Sequence, residues 1–259
     1  TSGSATDADY SVRSSGGYLG ASKSLNEVTR VGSFAAIDEG EISAERLKLD
    51  AEGQVYGFFV ERQSDLFGQE GVFTASTSFS TYEFDGTRRA QGQTNSVSSI
   101  DSNALQVGLK YHYIAFENTN LRIRPTAGVN YLHANVDSFS ETGSFNRVNV
   151  QEMTKNQVVF DLGVDALWEP TAGSWGLIGN AAFQNTFGES DTDVDAAFDV
   201  GGNGFTVVSP GVDGVSFNYG VSAYKQFNDN VTLDAGYFGR LQDSTESTHG
   251  FDLKLRVQF

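Results

Sequence analysis

Three histidines, His112, His133 and His249, are the residues of this chain best suited to proton transfer or metal binding near neutral pH. Their spacing serves neither task. No HxxxH or HExxH pairing exists, so no helix face would carry two zinc-ligating nitrogens. His133, Asn135 and Ser138 supply a base, an orienting amide and a hydroxyl nucleophile. Such roles need side chains that converge in space, and neighbours along one strand do not. The glycine-rich run Asp199-Val-Gly-Gly-Asn-Gly-Phe205 lacks the strand-to-helix setting of a phosphate loop and reads as a connection. The absence of cysteine excludes disulfides, thiolate metal sites and a cysteine nucleophile. The expectation is a protein that is not an enzyme and uses no cofactor and no metal.

Charge points elsewhere. The net charge of -16 argues against nucleic acid as a partner, because neutralising phosphates requires a basic surface. Ten charged residues fall at alternating positions within apolar segments: Lys110, Arg122, Arg124, Asp161, Asp165, Asp234, Arg240, Asp252, Lys254 and Arg256. Both signs are present. An interior charge must find water or a partner, so these residues are expected to line a wet interior, most of them satisfying one another.

The elements that must carry them are strands. Along His249 to Phe259, Phe251, Leu253, Leu255, Val257 and Phe259 alternate with Asp252, Lys254, Arg256 and Gln258. A period of two puts the two sets on opposite faces of a sheet. The same alternation runs through Val158–Trp168, Leu121–Tyr131, Val215–Tyr224 and Val231–Leu241. Twelve candidate strands lie near residues 9–15, 17–25, 29–38, 53–63, 71–83, 102–116, 120–133, 156–168, 174–187, 214–227, 230–242 and 249–259. Asp38 to Asp50 has helix formers without an apolar face and reads as loop. Residues 1–9 are small, polar and acidic, and are expected to be a disordered leader to a single domain over 10–259.

The connections separate into two classes. Asn26-Glu27, Glu117-Asn-Thr119, Glu169 to Gly173 and Asn228-Asp229 are short. Residues 39–52, 84–101, 134–155 and 188–213 are long and polar. Strands of about 9–11 residues suffice to cross a bilayer when tilted, and outer-membrane barrels have short periplasmic turns and long outer loops. No run of about 18 apolar residues exists, which excludes a membrane helix. Aromatics near strand ends, Tyr111, Tyr113, Tyr131, Trp168, Trp175, Phe227 and Tyr237, suit the headgroup level. The expected fold is all-β: a transmembrane antiparallel up-and-down β-barrel of 12 strands, in outer-membrane lipid.

The chain also resembles a known family, the C-terminal translocator β-domain of classical autotransporters of type V secretion. The resemblance rests on Leu121-Arg-Ile-Arg-Pro-Thr-Ala-Gly-Val-Asn-Tyr131 with Asp137-Ser-Phe and Glu141-Thr-Gly143 after it. It rests also on Gly20-Ala-Ser-Lys-Ser-Leu25 with Arg30-Val-Gly32, on Val159 to Asp165, and on Asn185-Thr-Phe187 with Ala196-Ala-Phe198. Leu233-Asp-Ala-Gly-Tyr237 and Val257-Gln-Phe259 complete it. Asp165 stands where the family usually has a basic residue. The resemblance implies a barrel in the outer membrane of a Gram-negative bacterium. It implies insertion by the barrel-assembly machinery, which would read Phe251, Leu253, Leu255, Val257 and Phe259. It implies export of the chain's own N-terminal passenger polypeptide, led into the first strand by a luminal helix. About nine residues precede the first strand here, so the passenger is expected to be absent: cleaved, cut away or never present. The alternative function is a stand-alone structural or adhesive barrel, or a small-solute pore.

Overall fold

Eleven long antiparallel strands build one sheet in the computed structural model, which describes residues 10–66, 69–89, 94–143, 147–171, 174–188, 191–199, 205–210, 214–228, 230–242 and 246–257. In chain order the strands are β1 (Tyr10–Ser24), β2 (Thr29–Ala44), β3 (Leu47–Leu66), β4 (Gln69–Arg88), β5 (Ser96–Tyr113), β6 (Phe116–Glu117), β7 (Leu121–Val136), β8 (Phe139–Ser140) and β9 (Val148–Val150). β10 (Met153–Thr171), β11 (Trp175–Gly188), β12 (Asp191–Phe198), β13 (Phe205–Pro210), β14 (Gly214–Asn228), β15 (Val231–Gln242) and β16 (Glu246–Val257) follow. The main sheet runs β1-β2-β3-β4-β5-β7-β10-β11-β14-β15-β16, with the two-residue β6 beside β7. It is strongly curled, and no pairing joins β1 to β16 among the described residues. A second sheet, in the order β13-β12-β9-β8, stands at the end with the longer connections.

Two sequence expectations are corrected. The first two of the twelve candidate strands are one strand, which leaves eleven long ones. Gly16-Gly17 looks like a turn but is paired throughout, Gly16 with Asp38 and Gly17 with Ile37. A Cβ at Gly16 would lie 2.4 Å from the carbonyl oxygen of Ile37, so this glycine permits close approach of two strands rather than a reversal. The segment 39–52 is not a loop either. β2 and β3 pair up to Ser43 and Lys48 and reverse through Glu45-Arg46. Its acidic residues hide a strand signal that apolar alternation alone misses, because strands above the apolar band have no need of apolar side chains. The candidate disordered leader, residues 1–9, lies outside the described residues, as does Phe259.

Within the wall, aromatic rings lie over glycines on the neighbouring strand. Phe34 opposes Gly57 and Phe59 opposes Gly32. A Cβ built on Gly57 would sit 2.3 Å from the Phe34 ring, and one on Gly32 would sit 2.3 Å from the Phe59 ring. The rings fill the space that the missing side chains leave. Gly57→Val is therefore expected to cost about 1–3 kcal/mol through overpacking. Unfolding of the lipid-embedded protein by urea, followed by tryptophan fluorescence, would measure it.

Candidate functional site

The pairing register sorts every residue of the wall onto one of two faces, since residues opposite one another point the same way. Starting from Leu255 opposite Leu233, and Leu233 opposite Lys225, one face can be followed through β11, β10, β7, β5, β4, β3 and β2 to β1. It carries Leu19, Phe58, Leu109, Leu162, Phe183 and Leu253, all exposed. Leu19 is 83% exposed and Phe251 82%. Among the described residues Ala196 is the one buried apolar residue. The accessible surface is 17170 Å², against about 11,000 Å² for an ordinary soluble monomer of this mass. An apolar face this large and continuous needs an apolar surrounding.

Facing the other way are Lys110, Arg122, Arg124, Asp161, Asp165, Asp234, Arg240, Asp252, Lys254 and Arg256, all ten on one face of the sheet by register. Several are brought together. Arg124 lies 3.8 Å from Asp165, Lys254 pairs with Asp252, and Arg122 pairs with Glu117. Asn130 donates to Asp161 at 3.4 Å, and Ser222 to Asp234 at 3.3 Å. Arg30 and Glu61, which the sequence reading left aside, pair at 2.8 Å on the same face. These contacts make four pairs of opposite charge on the polar face. Arg240 is not drawn into a pair, and its buried Nε has no partner among the described residues.

The histidines do not assemble a catalytic group. His133 is on the apolar face, with Nδ1 2.8 Å from Oδ1 of Asn156, which also accepts from the Tyr131 hydroxyl at 2.7 Å. Asn135 accepts from Thr154 at 2.9 Å and donates to Asp137 at 3.1 Å. Ser138 belongs to neither contact; it lines a cavity of about 480 Å³ on the second sheet with Asn149, Asp195 and Thr206. His112 is on the polar face, and His249 packs near Tyr237. Among the described residues no group of three His, Cys, Asp or Glu side chains has metal-holding geometry.

Aromatic side chains gather at the short-turn end. Trp168 and Trp175 meet edge to face at 5.5 Å, Tyr111 packs on Phe73 at 4.6 Å, and Tyr113 lies 6.3 Å from Tyr111. Tyr237 differs from expectation: it sits in mid-strand against Phe251 at 5.0 Å.

Two features of the opposite end escaped the sequence reading. Glu39, Glu52, Glu83 and Asp101 stand opposite one another in turn across β2 to β5, and Glu41, Asp50 and Asp85 form a second row. Like charges in direct opposition repel, and Lys48 relieves part of this by contacting Asp50 at 2.7 Å and Glu41 at 3.1 Å. The second feature is a clamp. Arg88 of β4 donates to both carboxylate oxygens of Glu141, at 2.7 and 2.5 Å, and to Ser96 at 3.2 Å. The backbone N–H of Val148 donates to Glu141 at 3.0 Å. Glu141 is 10% exposed and Ser96 1%. The partners are 53 residues apart, and no local pattern announces such a pair.

Comparison with known proteins adds to this geometry. A family model described as the autotransporter beta-domain matches residues 1–237. The translocator domain of autotransporter NalP from Neisseria meningitidis is similar at a TM-score of 0.79 and 15% identity, over 96% of this chain and 81% of that one. The β domain of the Bordetella autotransporter Brka is similar at a TM-score of 0.63 and 11% identity, over 96% and 92%. The transport unit of AIDA-I from Escherichia coli is similar at 0.62 and 11%, over 96% and 82%. A search of curated proteins finds no match.

Proposed function

Because the chain belongs to the autotransporter β-domain family, we propose that its curled sheet closes into a transmembrane barrel with the polar face as lumen. Its role is to export a passenger polypeptide and anchor it in the outer membrane of a Gram-negative bacterium. The domain is structural and not catalytic. The single observation that carries the lumen reading is the two-faced wall: large exposed apolar side chains on one side, paired charges on the other.

The strong curl of the sheet supports closure. Ten antiparallel steps leave β1 and β16 running in the same direction. Direct closure would make a parallel seam. A ring of twelve that is antiparallel throughout needs one further strand between them, running the other way. A ring of that size lies between a filled eight-strand barrel and an open sixteen-strand pore. It has room for one extended or helical segment, a helix being about 10–12 Å across.

The orientation follows from loop length. The short turns belong to the periplasm and the second sheet to the cell exterior. The apolar face contacts outer-membrane lipid. The alternating terminal strand, with Phe251, Leu253, Leu255, Val257 and Phe259, is the segment the barrel-assembly machinery would engage.

Export is tested by joining an epitope-tagged polypeptide ahead of Thr1 and adding protease to intact cells. The tag should be digested while the membrane-embedded barrel remains. A tag that stays protected beside a correctly inserted barrel would overturn the export reading.

A further inference from the structure

On five consecutive strands of the wall, β3, β4, β5, β7 and β10, the apolar face gives way toward the exterior to a particular set of side chains. Going outward along that face, Phe79 is followed by Thr81 and Glu83 in β4, and Leu105 by Asn103 and Asp101 in β5. β3 passes from Tyr56 to Gln54 and Glu52, and β7 from Tyr131 to His133 and Asn135. In β10, Val158 is followed by Asn156 and Thr154. The register joins these residues across the strands. Gln54 opposes Thr81, Thr81 opposes Asn103, Asn103 opposes Asn135, and Asn135 opposes Thr154. Glu52, Glu83 and Asp101 form the next row outward.

The belt is one-sided. In β11, β14 and β15 the same face is still apolar and exposed at Phe187, Val215 and Leu241, close to where their pairing ends. The belt is also of one chemistry. Residues 50–56, 79–85, 99–105 and 131–137 include neither Lys nor Arg. A phosphate is recognised by cationic donors, which this surface lacks. Carboxylates accept hydrogen bonds, and amides both accept and donate them, which suits a partner rich in hydroxyl groups. Some of the belt is held in place: the Tyr56 hydroxyl donates to Oε1 of Gln54 at 2.8 Å, and Asn156 contacts both Tyr131 and His133. Thr81 and Asn103 have no side-chain hydrogen bond among the described residues. A cavity of about 450 Å³ is lined by Gln54, Thr81 and Asn103 on one side and by Glu52, Glu83 and Asp101 on the other.

We propose that the belt on β3 to β10 binds the sugar headgroup of a glycolipid in the exterior leaflet, through the sugar hydroxyls. The belt is continuous with the apolar face. A lipid whose acyl chains lie on Phe79 and Leu105 therefore brings its headgroup to Thr81 and Asn103. Hydroxyl donors also offset the opposed carboxylates of Glu52, Glu83 and Asp101, which repel one another when left alone. The proposal rests on the apolar face being the lipid contact, and it names the class of lipid.

The test titrates the full chain, inserted in detergent micelles, with two uncharged probes that share their acyl chains: digalactosyl diacylglycerol and phosphatidylcholine. Native mass spectrometry counts the bound lipid. The sugar-bearing lipid is expected to bind about tenfold more tightly. Gln54→Ala combined with Asn103→Ala should reduce that preference to about twofold, through lost hydrogen bonds. Thr77→Ala, on the same face but within the apolar band, should leave it unchanged. Equal binding of the two lipids, or a preference that survives the double substitution, would overturn the headgroup site and leave the lipid-facing wall standing. A chain that stays soluble and folded without detergent would overturn the lipid contact and this proposal together.

Discussion

Arginine in place of Leu162 is expected to destabilise the lipid-embedded protein by about 2–4 kcal/mol. Leu162 is at the centre of β10, and it is 67% exposed on the apolar face. It stands opposite Ala127 on one side and Phe183 on the other. Near the bilayer midplane a guanidinium on this face finds neither water nor a counter-charge, and it must snorkel or thin the membrane to reach them. Asp161→Asn, one residue away on the polar face, should cost less than about 1 kcal/mol, because an amide can replace a carboxylate beside Asn130 and water. Urea unfolding in vesicles, followed through Trp168 and Trp175, compares the two. Equal costs would remove the assignment of faces on which the lumen depends.

Glu141→Ala is expected to cost about 2–3 kcal/mol, felt at the exterior end and not in the wall. The substitution removes the bidentate partner of Arg88 and the acceptor of the Val148 N–H. Limited proteolysis should then cut within residues 137–152 while the main sheet stays intact. Acid should act in the same direction. Burial alone would push the Glu141 carboxyl up, but hydrogen bonding and charge from Arg88, with help from Val148 and Ser96, hold it below its ordinary 4.5. A carboxyl whose folded value is depressed stabilises the folded form fully above pH 4.5, and this contribution fades as pH falls through the depressed value. Proteolysis of this segment should rise below pH 4.5 in the native protein and much less in Glu141→Ala.

Much of the wall was legible because hydrocarbon enforces a strict period. From Leu121 to Tyr131 and from Val158 to Trp168, each apolar residue had to alternate with one that tolerates water, and the strands declared themselves. The pattern weakens where the enforcing medium ends. Glu39 to Asp50 continues as strand into solvent, where both faces are polar and composition resembles a loop. Gly16-Gly17 misled for a different reason: glycine marks both turns and close strand contacts, and only the neighbouring chain distinguishes them. The ten charged residues of the polar face were visible through alternation. Their partners were visible only where pairing is local, as for Asp252 and Lys254. Arg88 with Glu141, and the opposed carboxylates of β2 to β5, depend on register between distant segments.

The scarcity of buried apolar side chains has a thermodynamic consequence. A soluble domain carries its own adhesive and brings it along when moved to another solvent. Here the adhesive surface is on the perimeter, so the dominant favourable term belongs to the contact between wall and acyl chains. Stability becomes a joint property of polypeptide and host bilayer. Changing the acyl length should shift the melting temperature of an unaltered sequence, with an optimum where hydrocarbon thickness equals the height of the band from Trp168 to Phe187.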